Sequence, residues 1–174
     1  MEIRNAGYNH CHDTDFIIDR PKGSGDNLLL LLKTDCIVTL DGVDQLVPAN
    51  SVFLYPKDAP QFYRTCPQQL FANDWYTFSL KEKNLRSFRT EIPFQTPIPV
   101  QEPNFFSHCI KEIVYETYSQ NLYRKESASC YMTLIWDKLS EQLYQNSFFQ
   151  KTAGMKCLPP FAERCTAVHG IHAR

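Results

Sequence analysis

Histidine, cysteine and paired carboxylates are the residues most able to do chemistry in this chain, and their spacing argues against most of it. The five histidines stand at 10, 12, 108, 169 and 172. A barrel that holds a metal needs imidazoles on facing strands converging on one cation, whereas the apolar segments from Leu28 to Leu80 carry no histidine at all. His10-Cys11-His12 is a lone His-x-His near a terminus and reads as an exposed polar arm. His108 falls early in a helical stretch and should face solvent or a partner. Asp13 with Asp15, and Asp41 with Asp44, sit in turn-forming surroundings, where Asp is favoured for local hydrogen bonding. No Gly-x-Ser-x-Gly, Gly-x-Gly-x-x-Gly or Gly-x-x-x-x-Gly-Lys occurs, so acyl transfer, dinucleotide binding and phosphate cradling have no motif to stand on. Seven scattered cysteines, odd in number and without a Cys-x-x-Cys, read as free thiols in a reducing compartment.

What remains is a binding pocket, and strand parity suggests its walls. Side chains alternate between faces along a strand. In the segment Asn73 to Leu80, Asn73, Trp75 and Thr77 share one face, while Asp74, Tyr76, Phe78 and Leu80 share the other. The first face is expected to line an interior where an indole, an amide and hydroxyls could stack on and hydrogen-bond a sugar-like or small polar ligand. Tyr63, in phase with Gln61 and Thr65, is a further candidate. The second face should pack beneath helices.

The elements that would position these groups come from turn chemistry and periodicity. Short strands are expected at 16–19, 28–33, 36–40, 45–47, 52–55, 61–65 and 73–80, separated by Pro, Gly, Asn and Asp. Asp41-Gly42 suits a type I′ hairpin. After Pro103 the period becomes 3.6, with Phe106, Cys109, Ile110, Ile113, Val114, Thr117 and Tyr118 on one stripe. The spacing predicts a helix capped by Asn104 and running to about Arg124, then a second one capped by Ser127 with Ala128, Met132, Ile135, Leu139 and Leu143 on its apolar side. Prolines 93, 97 and 99 make the segment 91–101 an extended strap along the barrel, and 161–168 offers only a short helix-like stretch.

Composition bounds the rest. A hydrophobic share of 43% and a charged share of 21% belong to a folded protein, and a net charge of −1 lacks the basic excess of a phosphate-gripping surface. The longest apolar run, Leu28 to Leu32, falls far short of the roughly 20 residues that span a bilayer. No signal-like apolar stretch opens the chain, so a cytoplasmic location is expected.

Three segments carry a family likeness. They are Asp19-Arg20-Pro21-Lys22-Gly23 with Asp26-Asn27-Leu28-Leu29-Leu30; then Leu40-Asp41-Gly42 with Asn50 to Pro56 and Pro60-Gln61-Phe62-Tyr63; then Asp74-Trp75-Tyr76-Thr77-Phe78. In order and spacing they resemble the N-terminal ligand-binding and dimerisation domain of AraC-type bacterial transcription regulators, over roughly residues 8 to 146. The resemblance implies a cupin-like antiparallel jelly-roll barrel, mainly β, followed by an α-helical hairpin. It divides the chain into a barrel with arm and strap (1–100), a dimerisation hairpin (101–148) and a linker-like tail (149–174). By position it makes Arg20, Tyr63 and Trp75 sugar-contacting residues, with Asn73 where the arabinose-responsive member has a histidine. It further implies a metal-free, cofactor-free effector site and no enzyme activity. An N-terminal arm, residues 1–15, would be ordered over the mouth by ligand. A homodimer would form through Met132, Ile135, Leu139 and Leu143 or the outer face of the first helix. DNA contact would come only through a helix-turn-helix domain not present in this chain. The rival expectation is a small metal-independent cupin enzyme of sugar epimerase or isomerase type.

Overall fold

A computed structural model describes residues 2–79 and 92–155, with side chains described up to 147. Among the described residues nine strands precede two helices: β1 (Glu2–His12), β2 (Ile17–Arg20), β3 (Asn27–Leu32), β4 (Cys36–Leu40), β5 (Val43–Val47), β6 (Ser51–Tyr55), β7 (Gln61–Thr65), β8 (Phe71–Ser79), β9 (Ile98–Pro99), α1 (Pro103–Tyr118) and α2 (Arg124–Met155). The strands form two antiparallel sheets, ordered β1-β8-β3-β6-β9 and β2-β7-β4-β5. The result is a jelly-roll-like β domain followed by a helical hairpin.

Layering explains why β3 reads as an unbroken run of leucines. The five-stranded sheet is covered on both sides, as a strand with no polar alternation requires. Leu28, Leu30 and Leu32 point into the space between the sheets with Val38, Phe53, Tyr55 and Phe71. Leu29 and Leu31 point the other way and join Val52, Leu54, Tyr76 and Phe78 under Ile110, Ile113, Met132, Ile135 and Trp136. The parity expected for β8 therefore holds on both faces as far as Phe78, Leu80 lying outside the described residues. Asp41 and Gly42 take φ of 50° and 79°, the paired positive values of a type I′ turn, and join Leu40 to Val43 in register.

Four expectations need correction. Residues 2–12 are a strand rather than an arm: β1 runs antiparallel to β8 from Glu2 opposite Ser79 to His12 opposite Phe71, with register shifts after Ile3 and after Gly7. The strap does lie along the barrel, but as part of the sheet, β9 pairing with β6 while Gln95 and Val100 donate to Leu54 and Asn50. Helix α1 starts one residue before Asn104, with Pro103 in its first turn, where a fixed φ fits and no N–H is needed. It ends at Tyr118 because Ser119 turns extended, its carbonyl capped by the Arg124 guanidinium; α2 then begins at Arg124, ahead of Ser127, and runs on to Met155.

The fourth correction concerns the dimer face. Met132, Ile135 and Leu139 are fully buried under the sheet and Leu143 packs against them, so the apolar stripe of α2 is consumed within the chain. A stripe at helical spacing says that a face is covered; it does not say by what. The helix-like stretch 161–168 and most of the tail lie outside the described residues.

Among the described cysteines, Cys11 and Cys130 are exposed and Cys36, Cys66 and Cys109 are buried. Burial pushes the Cys36 thiol up to about 12. Iodoacetamide at pH 8, mapped by mass spectrometry, should therefore modify Cys11 and Cys130 in the native protein and leave Cys36 and Cys109 intact until denaturant is added. Equal labelling of Cys36 would mean that β4 is not sealed between the sheets.

Candidate ligand-binding site

Between the two sheets lies a cavity of about 190 Å³, and alternation on four strands builds it. From β8 come Asn73, Trp75 and Thr77; from β7, Tyr63; from β3, Leu28. β2 and the turn before it contribute Phe16, Ile18 and Arg20, the inward set, while Ile17 and Asp19 face out. The four residues picked from sequence, Arg20, Tyr63, Asn73 and Trp75, thus line one cavity.

The remaining wall comes from β1, through His10 and His12. The His-x-His expected on a free arm is instead carried past the pocket by the pairing of β1 with β8. The Trp75 indole N–H donates to His10 Nδ1 at 3.2 Å, with the rings edge-on at 5.7 Å. His12 stacks on Phe16 at 4.1 Å, and Phe16 stacks in turn on Phe71 at 4.6 Å. Gly7 makes room for the indole: a Cβ there would lie 2.4 Å from Trp75 Nε1. The available sequence signal was this glycine in an otherwise polar stretch, followed by imidazoles two residues apart.

Two polar groups in the cavity wall are conspicuous for having nothing to bond. Asn73 is 3% exposed and Tyr63 6% exposed, yet neither the side-chain amide nor the phenol makes a hydrogen bond among the described residues. Neither polar end is fully enclosed, unlike Ser51 Oγ, Tyr55 Oη and Gln61 Oε1, so the amide and the phenol open onto the cavity, where solvent or a guest can bond them. Burial pushes the Tyr63 phenol up to about 12, against the opposing pull of the nearby Arg20 guanidinium, so near neutrality it is an O–H donor. Arg20 is exposed and its guanidinium has no hydrogen bond or ion pair among the described residues, unlike that of Arg64, which pairs with Asp44.

A second depression of about 190 Å³ lies between the strap and α2. Its one buried polar side chain, Gln142, is already satisfied by the Gln101 N–H and the Pro99 carbonyl. It offers a guest nothing comparable. Among the described residues no three His, Cys, Asp or Glu stand together as metal ligands, and no helix is long and apolar enough to cross a membrane.

No family model and no curated protein matches the chain. Solved structures do match, among them three of ToxT from Vibrio cholerae. An apo variant of strain SCE256 is 16% identical, with a TM-score of 0.51 over 78% of this chain and 54% of that one. A second ToxT structure is 9% identical, with a TM-score of 0.49 over 82% and 57%. An unsaturated fatty acid bound wild-type ToxT is 14% identical, with a TM-score of 0.46 over 80% and 57%. This chain spans about half the length of those it matches. At these identities the likeness concerns the fold, and at that level it agrees with the AraC-type resemblance carried by the sequence.

Proposed function

We propose that this chain is the effector-sensing domain of an AraC-type transcription regulator, taking a small polar molecule between its two sheets. One observation carries the reading: Asn73 and Tyr63 are largely buried residues that line a cavity beside Trp75, and the amide and phenol that open onto it have no protein partner among the described residues. The family resemblance at Arg20, Tyr63 and Trp75, together with the ToxT-like fold, supports the assignment. Control of a DNA-binding domain, a cytoplasmic location and a homodimer belong to the same proposal. The dimer would use exposed side chains of the helical hairpin such as Tyr115, Leu122 and Tyr123.

An epimerase or isomerase is the alternative that the imidazoles of β1 favour. His10 Nδ1, however, is taken up by the Trp75 N–H, His12 lies flat on Phe16, and no carboxylate lines the cavity as a partner acid or base. Binding without turnover is the better fit.

A thermal-shift screen of small metabolites tests the proposal. A ligand at 100 times its Kd adds about 2.7 kcal/mol to stability. Trp75→Ala should abolish that shift while keeping the far-UV circular dichroism of the parent, and Gly7→Ala should weaken it by displacing the indole. Hits whose shift survives Trp75→Ala would move the site elsewhere; a screen with no hits would remove the sensing role.

A further inference from the structure

Resting on that sensor reading, we propose that the ligand is a small organic carboxylate with a ring-sized apolar body, rather than a neutral sugar. The charge distribution around the cavity is one-sided. Its lining includes one charged group, the Arg20 guanidinium, and not a single carboxylate. Asp13, Asp15 and Asp19 are neighbours in sequence but turn to solvent, and none reaches the lining. Arg20 is left without an anion, although a guanidinium forms its strongest contacts bidentately with one. The net charge of −1 gives the protein no general attraction for anions, so a preference for them has to come from this local arrangement.

The rest of the wall sets the body of the molecule. Phe16, Ile18, Leu28 and the Trp75 face are apolar, and a neutral sugar would leave several hydroxyls against them without partners. About 190 Å³ suits one ring or a short chain, since a cavity of about 150 Å³ suffices for benzene. Within it, the carboxylate meets Arg20 and accepts the Tyr63 O–H and Asn73 N–H, satisfying the two groups that the protein leaves unbonded.

Matched probes separate the charge from the shape. Sodium benzoate, phenylacetate and hexanoate would be titrated against benzamide, phenyl phosphate and glucose, reading Trp fluorescence and thermal shift on the whole chain. At least one carboxylate should bind at least tenfold more tightly than benzamide, in keeping with a charge-assisted contact of about 1.5–3 kcal/mol. Arg20→Gln should bring its Kd to within about twofold of that of benzamide, and Arg20→Lys should recover part of the difference. Any of these would overturn the proposal: equal binding of benzoate and benzamide, an Arg20→Gln loss common to both, tighter binding of phenyl phosphate, or response to glucose alone. The last would leave the sensor reading intact. Silence toward all six probes also ends the carboxylate assignment, while the broader metabolite screen with Trp75→Ala decides separately whether a sensing site exists.

Discussion

Leu139→Asp should abolish folding instead of splitting a dimer into monomers. Leu139 is 0% exposed, held with Met132, Ile135 and Trp136 over the sheet residues Tyr76 and Phe78. Truncating such a leucine to alanine costs about 2–5 kcal/mol. Aspartate adds the penalty of a buried carboxylate with no cation to pair with, several kcal/mol more after relaxation. Against a typical total of about 5–15 kcal/mol, the sum is enough to empty the native state. Far-UV circular dichroism and urea melts should show loss of the cooperative transition for Leu139→Asp and a lowered midpoint for Leu139→Ala. Leu134→Asp, on the exposed side of α2, should melt like the parent. A folded Leu139→Asp monomer beside a dimeric parent would restore the interface role expected for this apolar stripe and contradict the packing.

The contrast between Leu139 and Trp75 shows where local pattern is informative. Strand parity is a backbone property, so Asn73, Trp75 and Thr77 could be put on one face without knowing what they faced. The helical stripe of α2 was equally legible as a stripe. Its partner was not, because a helix buries the same residues against its own sheet or against a second copy, and one chain's periodicity is blind to the difference. β1 was missed for another reason. Its segment Glu2 to His12 is polar and lacks alternation; it pairs because the β8 edge supplies hydrogen-bond partners, and two register shifts break whatever period it had. With β1 went His10 and His12, the imidazole side of the pocket, so the sequence showed only part of the lining. Helix ends erred where termination depended on contacts absent from propensity, such as Arg124 capping the Ser119 carbonyl.

Asp74 should prove as sensitive as any core residue and more revealing. It sits between Asn73 and Trp75 on β8, but its side chain goes to the opposite face, where it is 0% exposed. There its Oδ1 accepts from Lys33 Nζ at 2.8 Å and from the Asn9 backbone N–H, and its Oδ2 accepts the Ser107 hydroxyl at 2.6 Å. Lys33 also donates to Asn9 Oδ1 at 3.2 Å. One carboxylate thus ties the irregular stretch of β1 and the start of α1 to the strand that carries the pocket's indole. Removing it strands the Asn9 N–H and the Ser107 hydroxyl and leaves the Lys33 ammonium, a quarter exposed, with Asn9 Oδ1 and the Tyr8 ring; breaking a buried pair from one side costs about 3–5 kcal/mol, and that exposure puts this one toward the lower end. Asp74→Ala should lose that much in urea melts. Lys33→Met combined with Asp74→Leu should regain a good part, since the orphaned charge goes too. Asp74→Asn keeps one acceptor and should remain folded, yet β1 is released at Asn9, next to the His10 that receives the Trp75 N–H. Ligand-induced thermal shift should fall in Asp74→Asn more than its stability does. Equal losses of both would confine Asp74 to holding the fold; a larger loss of binding would mean that the pocket and the first helix are joined through this residue.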